Sequence, residues 1–110
     1  MSTEPESYKA RVIELASFIE YSDNSVLSKT LVEKKAGTIT LFSFDAGQGL
    51  SEHTAPYDAV VHIIDGEAEI IIGGTASRVT TGQMIIMPAE IPHELRAIKQ
   101  FKMLLTMIRA

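Results

Sequence analysis

The chain has 110 residues, 45% of them hydrophobic and 22% charged, with a formal net charge of −4, the profile of one globular domain able to bury a core. The absence of cysteine excludes disulfides, iron–sulfur clusters, thiolate metal sites and cysteine nucleophiles. The acidic balance and scattered lysines, with Lys34-Lys35 the only adjacent pair, argue against a nucleic-acid partner.

Residues 1–8 are polar, a loose end without the charged-then-apolar pattern of a signal peptide. Tyr8 to Ile19 carries Ala10, Val12, Ile13, Leu15, Ala16, Phe18 and Ile19, which predicts one short helical turn or an extended arm. From Ser25 the period shifts to two: Val26, Ser28, Thr30 and Val32 alternate with Leu27, Lys29, Leu31 and Glu33. Ala36-Gly37 marks a turn. Thr38 to Phe44 follows as a strand, with Ile39, Leu41 and Ser43 on one face and Thr40, Phe42 and Phe44 on the other.

Asp45 to Gly49 is a glycine-rich loop. Ala59 to Ile64 is a third strand, Asp65-Gly66 is a hairpin signal, and Glu67 to Ile72 returns with Ala68, Ile70 and Ile72 on one face. Gly73-Gly74 turns into a short edge strand, Ala76 to Thr80. Gln83 to Met87 is a buried strand ending at Pro88, His93 to Ile98 leads away from the proline loop, and Phe101 to Ile108 closes the chain. Phe101, Met103, Leu105 and Met107 share one face of that last strand, an apolar lining. Eight or more short strands between glycine and proline turns predict an all-β, antiparallel jelly-roll barrel. Residues 1–24 are its arm or short helix and 25–110 the barrel. No apolar run approaches the about 20 residues that span a bilayer, so a cytoplasmic protein without a membrane partner is expected.

Two segments carry a recognisable spacing. In the first, Gly47 is followed after five residues by His53, and Gly66 lies further on; in the second, Gly82 is followed after five residues by Pro88 and then by His93. These six positions resemble the two motifs of a small single-domain cupin, over roughly residues 37–108. The resemblance implies a double-stranded β-helix, the jelly-roll barrel already expected. In metal-binding members two histidines and a glutamate of the first motif join the histidine of the second around iron, manganese, nickel or zinc. Here Ala55 stands at the second histidine, Ala59 at the glutamate, Glu90 at an inner glycine and Ala97 at an asparagine.

An alanine methyl coordinates nothing, so His53 and His93 are the metal ligands that remain. Glu52, Asp58 or Glu90 is the candidate third ligand for such a divalent metal. His62, three residues from Ala59, faces outward by strand parity. Met84, Met87, Met103 and Met107 are read as core or pocket wall, with thioether ligation of copper(I) beside the histidines as the alternative. Tyr57 gates the opening or packs.

The expected function is therefore a cupin-like barrel holding a small molecule in a pocket of His53, His93, Tyr57, Met84 and Met103. The alternatives are a metal-dependent enzyme of oxygenase or isomerase type built on His53 and His93, and a structural barrel acting through an assembly partner. The resemblance also implies a homodimer formed through the N-terminal arm.

Overall fold

A computed structural model describes residues 8–109. A helical turn, α1 (Leu15–Phe18), precedes β1 (Val26–Lys34), β2 (Gly37–Phe44), β3 (Gly49–His53) and β4 (Asp58–Ile72). β5 (Thr75–Thr80), β6 (Met84–Met87), β7 (His93–Arg96) and β8 (Phe101–Ile108) complete the order. Every strand pairing is antiparallel. The expected all-β jelly roll is what forms. Among the described residues no helix is long and apolar enough to cross a membrane.

The main departure from expectation is β4. Asp65-Gly66 is not a hairpin: one strand of 15 residues runs through it. Asp58 to Gly66 pairs with β8, and Ala59 to His62 also with β6. Beyond that point Glu67 to Ile72 pairs with β5 and Glu69 to Ile72 with β7. The register shifts between Ile63 and Asp65, so Ala59, Val61 and Ile63 point into the barrel before the bulge, and Ala68 and Ile70 after it. That change of parity, which reads in sequence as two strands, is how one strand passes from one layer to the other.

Gly66 makes the crossing feasible. Its φ is +87°, and a Cβ there would collide with the Gln100 carbonyl, so only glycine fits beneath β8.

One layer contains β1, β2, β8, the first half of β4, and β6; the other contains the second half of β4 with β5, β7 and β3. Between them lie Phe44, Val61, Ile63, Ile70, Leu95, Phe101 and Met103, all at most 1% exposed. Phe44 stacks on Phe101 with ring centroids 4.5 Å apart, a pairing that adds about 1 kcal/mol to the burial of the two rings. Among the described residues β3 is an edge strand held only by β7.

The outer face of the first layer is apolar as well, and the arm covers part of it. Ile19 is buried against Leu31 and Leu41, with Tyr8, Leu15, Phe18, Ile39 and Leu104 around them. Polar ties fix the arm in place. The Ser43 hydroxyl donates to the Glu20 carbonyl at 2.8 Å, and the Lys102 ammonium to the Ala16 carbonyl at 2.5 Å. Lys102, only 8% exposed, also lies 4.8 Å from the Tyr21 ring centroid, so its buried charge is met by a carbonyl dipole and a π face.

β6 also differs from expectation. It is not buried on both faces: Met87 points into the barrel, while Met84 and Ile86 point outward at 52% and 53% exposure. Across the ladder these two oppose His62 and Val60 of β4, and His62 is exposed, as parity requires.

Candidate functional site

His53 ends β3 and His93 begins β7, and the two are directly opposed in the ladder. Period-two alternation alone would put Leu50 and His53 on opposite faces. The register shift between them restores both to the inside. The imidazoles meet with ring centroids 4.4 Å apart at an angle of 72°, and their Nε2 atoms are 3.2 Å apart.

The other ring nitrogens decide what that contact means. His53 Nδ1 lies 2.7 Å from the Ser51 carbonyl, and His93 Nδ1 lies 3.2 Å from the Ile91 carbonyl. A carbonyl oxygen only accepts, so each Nδ1 carries the hydrogen and donates. In the neutral rings each Nε2 then carries a lone pair, and the two nitrogens are 3.2 Å apart. The pair is thus not hydrogen-bonded to itself; it presents two lone pairs on neighbouring nitrogens. His93 is buried at 3% exposure, whereas His53 sits on the rim. Burial pushes the His93 pKa below its ordinary value, outweighing the Ile91 carbonyl, which raises it; the neighbouring His53 lowers it further. His93 is accordingly held neutral.

Behind the pair is a cavity of about 50 Å³. Ala55 and Ala59 line it, and so do Met87, Met103 and Met107. Leu50, Leu95 and Leu105 complete an apolar wall. Met103 lies on the cavity wall. Met84 does not: strand alternation turns it to the outer face, and Met87 takes the inward position. The signal was available, because Met87 and Ile85 share a parity that Met84 does not. Tyr57 is not at the opening either. It precedes β4, so the strand's alternation does not extend to it, and its ring lies beside the Arg109 guanidinium, 5.9 Å away.

None of the three candidate carboxylates joins the histidines. Asp58 Oδ1 accepts the Ala89 N–H at 2.8 Å, pinning the proline loop to β4. Glu52 falls within the irregular part of β3 and is exposed. Glu90 is exposed, and its N–H donates to the Ala55 carbonyl at 2.8 Å. Among the described residues no group of three histidines and carboxylates is arranged to hold a metal ion. Glu90 also has a φ of +66°, so the loop before His93 keeps a glycine-like backbone at the position where the cupin motif has glycine.

The sequence matches the cupin domain family over residues 40–109. The chain is a cupin. A conserved protein of unknown function from Streptococcus pyogenes is 42% identical to it, over 92% of this chain and 89% of that one, with a TM-score of 0.87. A cupin superfamily protein from Desulfitobacterium hafniense is 32% identical over 91% and 92% of the two chains, with a TM-score of 0.85. Salicylate 1,2-dioxygenase from Pseudoaminobacter salicylatoxidans shares the fold of this cupin at 16% identity, over 76% of this chain and 26% of that one, with a TM-score of 0.70. No curated protein matches the chain in sequence.

Proposed function

We propose that this cupin is a binding barrel whose His53–His93 pair receives the electron-poor end of a small guest. One observation carries the reading: both Nδ1 atoms are committed to carbonyls, which leaves two Nε2 lone pairs on nitrogens 3.2 Å apart. Two lone pairs this close repel, and a hydrogen-bond donor or a cation shared by both nitrogens removes that repulsion. The cavity of about 50 Å³ is well below the roughly 300 Å³ at which drug-sized pockets begin. The guest is correspondingly a molecule of a few heavy atoms, or the tip of a larger one entering past His53. Buried His93 stays neutral and acts as the fixed acceptor, while the rim histidine closes on the guest. The methionine and leucine walls exclude water and so strengthen the polar contact.

The metal-dependent oxygenase or isomerase reading has one point in its favour, since metal-ligating histidines commonly donate the other ring N–H to a backbone carbonyl. The family's four ligands for iron, manganese, nickel or zinc nevertheless do not fit this chain. Ala55 and Ala59 present methyl groups to the cavity, and a dication there would have no anionic ligand to offset its burial. The barrel is thus better suited to hold a guest than to activate one.

The partner this reading favours is a second copy of the chain. The face formed by Val60, His62, Met84 and Ile86 is apolar and carries no acid or lysine. The opposite layer instead presents a ladder of ion pairs, Glu67 with Arg78 and Arg96 with Glu69 and Glu94.

The guest-binding test is imidazole nitrogen NMR during titration with methylammonium or phenol. A shift of both Nε2 signals, with the His93 shift lost in His53→Ala, supports the reading; unchanged signals at millimolar guest overturn it.

A further inference from the structure

We infer that His53 and His93, with the thioethers of Met87 and Met107, form a binding site for copper(I). The inference rests on the guest-binding reading and names the guest. Three observations on the donors lead to it.

The first is geometric. Imidazole nitrogens bind first-row ions at about 2.0–2.1 Å, so two of them 3.2 Å apart subtend about 100° at a shared ion. The pair is therefore already spaced as two ligands of one centre. Each ring is also oriented by a carbonyl on its other nitrogen, the arrangement that fixes a ligating histidine.

The second is the chemistry of the remaining donors. Ala59 lies in the ladder between Met87 of β6 and Met107 of β8. The position that supplies a carboxylate in metal-binding cupins is thus flanked on both sides by methionine, and both methionines line the same cavity as the two histidines. Nitrogen and thioether donors without oxygen select a soft ion, and among the biological first-row metals that ion is copper(I).

The third is charge. All four donors are neutral, and the cavity has no carboxylate. Burying a single positive charge among them costs far less than burying two. Copper(I) carries one charge, accepts low coordination numbers and needs no anionic ligand.

The test is anaerobic titration of the full chain with copper(I) supplied as its bicinchoninate complex, read by loss of the chelator's absorbance. X-ray absorption on the loaded protein supplies the second readout. One copper(I) per chain is expected, with both nitrogen and sulfur in its shell. His53→Ala, a rim substitution, should abolish binding. Met87→Leu with Met107→Leu keeps the core volume and should weaken binding by at least about tenfold, the lower end of what loss of a ligand's orienting partner alone costs. Zinc(II) taken up as tightly as copper(I), a shell without sulfur, or full affinity in the double leucine variant would overturn the inference. If copper(I) does not bind while methylammonium still shifts the Nε2 signals, the copper site falls and the guest-binding reading stands. If neither binds to the folded protein, both fall.

Discussion

Tyr21 donates its hydroxyl to Asp65 at 2.7 Å, joining the N-terminal arm to the bulge where β4 changes layer. Residues 44 apart in sequence are thereby tied at the point where the fold is most irregular. Tyr21→Phe removes the bond and keeps the ring over Lys102. The expected loss is about 1 kcal/mol, the low end for a bond to a carboxylate because the pair is partly exposed, measured as a lower urea midpoint at unchanged slope. Burial, then the bond and charge of Asp65, raise the Tyr21 pKa above its ordinary 10.0. The unfolded chain therefore releases this proton first, and the wild type should lose stability as pH rises above about 10. Tyr21→Phe should lack that part of the decline.

Stability should fall on the acid side through His93. Its folded pKa lies below the ordinary 6.5, so the unfolded chain takes up a proton first as the pH drops. Stability is complete above about 6.5 and is lost as the pH falls from there toward the folded value, with no further loss beneath it. Thermal unfolding between pH 8 and pH 5 measures this, and His93→Gln should flatten the profile. A wild-type profile as flat as that variant's would show that His93 is not held neutral.

Glu90 occupies a left-handed backbone position at φ +66°. Glu90→Gly should relieve strain and stabilise the fold by about 1 kcal/mol, seen as a higher urea midpoint. A lower midpoint would mean that the glutamate side chain contributes more than its backbone costs.

The face carrying Met84 and Ile86 gives a prediction about assembly. The protein should run as a dimer in size exclusion with light scattering at micromolar concentration. Met84→Glu with Ile86→Lys should yield a folded monomer, because both side chains already point to solvent and their loss leaves the core intact. A wild-type monomer at that concentration would refute the dimer.

Much of this was legible in the sequence because it depends on spacing and parity. Gly47, His53, Gly66, Gly82, Pro88 and His93 predicted the barrel, and the alternation from Phe101 to Met107 predicted its inner wall. Ala55 and Ala59 already marked the loss of ligands. Local pattern failed where the backbone is irregular. The bulge beside Gly66 reverses parity and imitates a hairpin. Met84 was misplaced because Gln83 to Met87 is uniformly apolar after its first residue, and a one-sided strand of that composition looks buried on both faces. The committed Nδ1 atoms had no sequence signal at all, since their acceptors are main-chain carbonyls, which every residue has.

The two histidines differ in how their strands are held. β7, carrying His93, is laced between β4 and β3, while β3, carrying His53, has a partner on one side only. Strands held on one edge open at lower free energy than those held on both. His93 thus stands on the firmer ladder and His53 on the looser one. For the guest proposed above, the residence time would then be set by the stability of the short Gly49–His53 edge ladder rather than by that of the barrel.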